Sequence, residues 1–132
     1  MILIDTNVLM YAAGAEHPNK ASALAVLRSI AAGEVDAAID AEVLQELLHR
    51  YRALRRWSVG KRVYEGARKV FPVVLPVDAA TTDRAYELLS KHRTLMARDA
   101  VHAAVVQLHG LDGICTFDRD FDRIAGVERI AP

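Results

Sequence analysis

Asp5, Glu46, Asp99 and Asp118 are the residues of this 132-residue chain whose types and positions could do chemistry together. Asp5 closes the apolar run Ile2-Leu3-Ile4, and Asp118 follows the apolar run Ile114-Cys115. If both runs are parallel strands, the two aspartates share the carboxyl edge of one sheet, where open α/β sheets bind their ligands. Asp99 falls in the first turn of a helical segment and Glu46 lies off the apolar stripe of another, so none of the four occupies a core position. Two carboxylates about 4 Å apart repel by roughly 4 kcal/mol at an effective dielectric near 20. Four that converge must therefore raise their own pKa values or hold a divalent cation. Mg²⁺ takes oxygen ligands, retains waters and commonly bridges one or two carboxylates to a substrate phosphate. The chemistry expected of such a cluster is metal-assisted hydrolysis of a phosphodiester.

Each acid also has an ordinary role open to it. Asp5 could cap the next helix. Asp99 near a helix N-terminus gains about 0.3–1 kcal/mol from the macrodipole alone. Glu46 could pair with Arg50 at i, i+4, and Asp118, Asp120 and Asp122 could serve as turn residues and caps. Jointly these roles explain less, because two unrelated strands end in aspartate on one edge.

The elements that must position the acids follow from hydrophobic periodicity. A first buried strand ends at Asp5, with Thr6 and Asn7 as N-caps for the helix that follows. Residues 19–32 read as a helix stopped by Gly33, and residues 35–39 as a second strand. Asp40 then caps a helix with Val43, Leu44, Leu47, Leu48 and Tyr51 on one stripe. It continues past Trp57 to an interruption at Ser58 or Gly60, and a further helix ends near Pro72. Residues 73–77 read as a third strand, with Pro76 marking an edge or a strand end. Asp78 or Thr81 caps a helix to about Lys91. The next helix, from about Arg98 to His109, has its stripe at Ala97, Val101, Ala104, Val105 and Leu108, and Gly110 stops it. Residues 113–116 form a fourth strand and residues 127–130 a fifth. Strands alternating with helices predict an α/β fold with a mainly parallel sheet of four to five strands. Length and the absence of linkers predict one domain, residues 1–132.

Composition narrows the setting. Apolar residues make up 52% of the chain, a large share of them alanine, which suits closely packed helices on a small sheet. The single cysteine excludes an internal disulfide, and Cys115 in its apolar context reads as a buried small hydrophobe. No stretch approaches the roughly 20 apolar residues of a membrane span, and no basic start of a signal peptide is present. A soluble, cytoplasmic chain without a membrane partner is expected. Net charge is zero, yet residues 50–69 hold eight basic side chains and one acid, Glu65. That is +7 locally, so the rest of the chain carries −7.

The motifs Ile4-Asp5-Thr6-Asn7, Glu46 within Val-Leu-Gln-Glu-Leu-Leu, Arg98-Asp99-Ala-Val-His-Ala-Ala and Thr116-Phe-Asp118-Arg-Asp120-Phe resemble those of the PIN-domain ribonucleases. In length and simplicity the chain is similar to the VapC-type toxins of toxin–antitoxin pairs, and the resemblance runs from Asp5 to Asp122. It implies a three-layer α/β/α fold and an endoribonuclease dependent on Mg²⁺ or Mn²⁺, neutralised by a cognate antitoxin and homodimeric. By position it implies that Asp5, Glu46, Asp99 and Asp118 are the catalytic acids, with Asp5, Asp99 and Asp118 on the metal. Glu42, one turn before Glu46, competes for the helical place. The resemblance also makes Asn7 and Thr116 orienting groups and Asp120 a supporting or alternate ligand. The products it implies are a 5′-phosphate and a 3′-hydroxyl.

Arg50, Arg52, Arg55, Arg56, Lys61 and Arg62, interleaved with Tyr51, Trp57 and Tyr64, could follow an RNA backbone or, as the resemblance implies, grip the antitoxin. A solvated helical face is the plainer alternative. His102 lacks the further His or Cys partners that zinc requires and reads as a structural or supporting residue. Asp118-x-Asp120-x-Asp122 copies the start of a calcium loop, but Arg123 stands where that loop needs glycine. A hydrolase that phosphorylates its strand-one aspartate usually has a second aspartate where this chain has Asn7. A catalytically silent PIN-like module that binds RNA or protein is the remaining alternative, and the intact set of acids counts against it.

Overall fold

Ile2–Ile4 (β1) lies at the centre of a five-stranded sheet in the computed structural model, which describes residues 1–132. The other strands are Ala37–Asp40 (β2), Val74–Leu75 (β3), Ile114–Cys115 (β4) and Arg129–Ile130 (β5), in the order β3-β2-β1-β4-β5, all parallel. Leu3 and Ile4 are both fully buried, as a central strand covered on both faces requires.

The pleat sends neighbouring residues to opposite faces, and two cores result. Leu3 and Ile114 join one core, under the helices Ala79–Lys91 (α5) and Ala97–His109 (α6). Ile4, Ile39 and Cys115 join the other, under Thr6–Ala13 (α1), Lys20–Ala31 (α2), Ala41–Ala53 (α3) and Trp57–Val70 (α4). The molecule is thus a three-layer α/β/α fold with a parallel central sheet, as expected. A single 3₁₀ helix, Arg119–Arg123, connects β4 to β5.

Several boundaries differ from the sequence reading, each for a local reason. Asp5 itself, not Thr6 or Asn7, takes the N-cap position of α1, and its side chain makes no capping bond. The break between α3 and α4 falls at residues 54–56, ahead of Ser58 and Gly60, where Arg55 adopts φ +56°. Leu48 is exposed rather than on the buried stripe of α3. On α6, Ala97 and Leu108 are exposed while Ala100 and residues 102–106 are buried. That helix is so rich in alanine and valine that its pattern sets no unique rotation, and packing chooses the face. Asp78 is the cap of α5, in a capping box with Thr81.

Gly60 sets how closely α4 lies against α3. A Cβ there would land on Tyr51 Cβ and within 2.9 Å of its Cγ. Helix propensity favours alanine by about 1 kcal/mol, but a Cβ–Cβ overlap has no side-chain torsion to relieve it. Gly60→Ala is expected to lower stability by a net 1–3 kcal/mol or so, read as a lower urea midpoint with an unchanged slope.

Candidate active site

Asp5 leaves the sheet at the carboxyl end of β1, with its backbone N–H still bonded to Cys115 O at 3.1 Å. Because its side chain does not cap α1, it is free to turn into the cleft above the sheet edge. Its Oδ2 accepts from Thr116 Oγ1 at 2.6 Å and from Asn7 Nδ2 at 2.9 Å. The same Thr116 hydroxyl accepts from Asn7 Nδ2 at 3.0 Å and from the Asp118 backbone N–H at 3.0 Å. One buried hydroxyl therefore ties the end of β1 to the turn after β4. Asn7 and Thr116 together fix the orientation of the Asp5 carboxylate.

Glu46, Asp99 and Asp118 line the same cleft as Asp5, which has a volume of about 520 Å³. Glu46 reaches it from α3 and is held by Arg98 Nη1 at 2.9 Å, not by Arg50. Glu42 is half-buried on the preceding turn and does not line the cleft. Asp99 projects from the first turn of α6. Asp118 caps the 3₁₀ helix, its Oδ1 accepting from Asp120 N–H at 2.8 Å.

The electrostatics follow from this crowding. Burial pushes the Asp99 carboxyl up to about 6, with Asp5 and Asp118 adding to the rise. Burial also raises Asp5, against the opposing pull of His102 and Thr116. Thr6 Oγ1, on a residue of the cleft wall, is buried without any hydrogen-bond partner. Converging carboxylates that cannot all ionise cheaply, beside an orphaned hydroxyl, fit a hard divalent cation with oxygen donors.

Asp40 and His102 lie behind the cleft acids; the sequence reads His102 as a structural or supporting residue and Asp40 as a cap. Both are buried, and His102 Nδ1 lies 2.7 Å from Asp40 Oδ2. The other ring nitrogen faces the cleft acids, 3.9 Å from Asp5 Oδ1 and 4.0 Å from Glu46 Oε2. Burial opposes the imidazolium, but Asp40, Asp5 and Glu46 outweigh it and raise its pKa to about 9. Asp5, Glu46 and His102 could in geometry share an ion, since their ligand atoms lie within 4.8 Å of one another. An imidazole protonated at neutral pH is a donor rather than a ligand, so the carboxylates are the better donor set. The available signal was that Asp40 ends β2 as Asp5 ends β1. The same carboxylate also caps α3, accepting from Val43 N–H at 2.9 Å.

Other candidates lie elsewhere. Asp120 is exposed and lines a separate concavity with Lys91, Arg93 and Arg123. The basic segment does not form one track. Arg50 lines the cleft, and Arg52 stacks 4.8 Å over the Trp57 ring. Arg55 and Arg56 form the turn into α4, and Lys61 is exposed. Arg62 rims an apolar groove of about 360 Å³ between α1, α2 and α4.

The PIN domain family model matches residues 2–127. Ribonuclease VapC13 of Mycobacterium tuberculosis is 40% identical over 131 residues, 99% of this chain and all of the relative. Ribonuclease VapC23 of the same species is 36% identical over 118 residues, 89% of this chain and 93% of the relative. Among solved structures, the backbone is similar to M. tuberculosis VapC20, a sarcin–ricin-loop-cleaving toxin, with a TM-score of 0.75 and 23% identity over the whole of both chains. FitAcB of Neisseria gonorrhoeae gives 0.79 at 23% identity, covering 100% of this chain and 98% of that one.

Proposed function

The chain belongs to the PIN-domain family, and from that premise we propose that it is a metal-dependent endoribonuclease of the VapC kind, neutralised by a cognate antitoxin. The observation that carries the proposal is the convergence of Asp5, Glu46, Asp99 and Asp118 on one cleft, in a chain 40% identical end to end to a VapC ribonuclease.

Asp5, Asp99 and Asp118 would hold Mg²⁺ or Mn²⁺. Once bound, the ion supplies a more acidic water and charge neutralisation at the phosphodiester. The chain's own groups then have separable tasks. Thr116 and Asn7 hold Asp5 in one rotamer, so the site does not reorganise when the substrate arrives. Glu46 engages Arg98 through Oε1, which leaves Oε2 to orient the attacking water and accept its proton. Water oxygen bonds to phosphorus as the bond to the 3′ oxygen breaks, and that oxygen takes a proton from solvent. The products are a 5′-phosphate and a 3′-hydroxyl. Arg50, on the cleft wall, is placed to attract the substrate phosphate. The apolar groove rimmed by Arg62 is the surface we assign to the antitoxin. A homodimer is part of the same reading.

Purified, antitoxin-free protein incubated with total RNA is expected to give discrete fragments with Mg²⁺ or Mn²⁺ and none with EDTA. Equal fragmentation under all three conditions sinks the proposal.

Cation binding is also expected to depend on pH. Asp99, with a pKa of about 6 in the metal-free protein, must lose its proton to become a ligand. Apparent affinity should fall by up to about tenfold per pH unit below that value and level off above it. Calorimetric titration with Mn²⁺ from pH 5 to 8 measures this. Asp99→Asn should weaken binding and flatten the profile, whereas an unchanged profile excludes Asp99 as a ligand.

A further inference from the structure

The catalytic cleft is poor in free cations. Four carboxylates face it, Arg98 is engaged by Glu46, and Arg50 is the remaining basic side chain on its wall. A polyanionic strand needs attraction from elsewhere on the surface.

A second concavity, of about 230 Å³, lies beside this cleft and supplies such charge. The same two segments build both sites. The end of α5 and the loop that follows it give Met96 to the cleft and Lys91, Arg93 and Leu95 to the concavity. The turn after β4 gives Asp118 to the cleft and Asp120 and Arg123 to the concavity. Leu95 and Ile124 are buried and belong to the α5–α6 core, so part of the lining is anchored in the fold rather than swept by mobile side chains. Arg84, Arg98 and Arg129 each close an ion pair, whereas Lys91, Arg93 and Arg123 close none. Three positive charges face one negative charge, Asp120, with His92 alongside. A local surplus of unpaired cations in a concave, anchored pocket suits an anion.

We propose that the concavity lined by Lys91, Arg93 and Arg123 is a phosphate-binding subsite that holds the RNA backbone beyond the scissile bond. The identity of the strand rests on the ribonuclease reading above. Asp120 faces this pocket and not the acid cluster, and the three cations outnumber it. An RNA strand leaving the cleft over Met96 and Asp118 meets them next.

The test is equilibrium binding of a fluorescent single-stranded RNA to the full chain in EDTA, where turnover is prevented, across a range of salt concentrations. Each phosphate contact on a single strand contributes about 0.7 to the slope of log K against log salt. The variant Lys91→Gln/Arg93→Gln/Arg123→Gln should make the slope shallower by about 2 and weaken binding by on the order of 10–100-fold at 0.1 M salt. The single variants Arg93→Gln and Arg123→Gln should each remove about 0.7, which keeps the test decisive if the triple variant folds poorly. An unchanged slope in the singles overturns the subsite. Wild-type cleavage with Mn²⁺ is scored separately. Cleavage with an unchanged slope removes the subsite alone, while a lowered slope without wild-type cleavage removes the nuclease reading and leaves an RNA-binding pocket.

Discussion

Asp5→Asn is expected to abolish RNA cleavage, by about a thousandfold or more, while leaving the folded protein at least as stable as the wild type. The two effects have one cause. Asp5 is 6% exposed, and its burial raises its pKa, so the metal-free fold is held with a carboxylate it would rather not ionise. Asparagine keeps the size and an oxygen acceptor for Thr116 Oγ1, and it removes the charge that repels Asp99. Function runs the other way, because the site must present negative charge to a cation worth several kcal/mol at the transition state. About 4 kcal/mol corresponds to a factor near a thousand. Asp118→Asn should show the same loss, since it removes a second acid from the cleft. Cleavage kinetics and urea unfolding, run without added metal for the stability arm, decide the matter. Mutants that cleave like the wild type would remove the acids from the mechanism. Mutants that are inactive and also unfolded would show that Asp5 is structural.

Asp40→Ala has the largest expected effect on stability. The substitution leaves His102 buried without its 2.7 Å partner and removes the side-chain cap of α3. Breaking one side of a buried ion pair typically costs about 3–5 kcal/mol, and a lost cap about 1 kcal/mol. The two losses overlap, because one carboxylate makes both contacts. Asp40→Asn separates them, since its amide oxygen keeps the acceptor for Val43 N–H while its NH2 replaces the charged acceptor that faces the imidazole.

The pH dependence has a definite sign. His102 has a pKa of about 9 in the folded protein against an ordinary imidazole value of 6.5. A group whose pKa rises on folding stabilises fully below its unfolded value and loses that contribution as pH climbs through the folded one. The wild type should therefore lose stability between about pH 6.5 and 9, and Asp40→Asn should lose much less across that window. Urea midpoints at pH 6, 7.5 and 9 measure the difference. Parallel slopes for the two proteins would mean that His102 is not charged by Asp40.

Much of the site was legible because its first signals are local. A strand that ends in aspartate is visible in Ile2-Leu3-Ile4-Asp5, and so is the second one before Asp118. Parallel pairing of β1 with β4 then puts both on one edge. Glu46 was legible as an acid off the stripe of α3, but its partner was not. Arg98 lies 52 positions away, and only the approach of α6 to α3 brings the two together. The supporting role of His102 was legible but its partner was not, for the same reason: its contact with Asp40 spans 62 positions.

The amino-acid sequence by itself determined the alternation of strands and helices, the strand ends that carry the acids, and most of the stops, among them Gly110 at φ +60°. These depend on periodicity and backbone preference within a few residues. Tertiary structure alone decided the rotation of α6, the pairing of Asp40 with His102, and the fate of the basic segment. A helix of alanine and valine has nearly equal sides, so contact across layers selects which one is buried. Likewise Arg55 in the left-handed region turns the chain between α3 and α4, and neighbouring arginines are sent to different surfaces. Charge density along a chain is local, whereas a binding surface depends on where the backbone carries each charge.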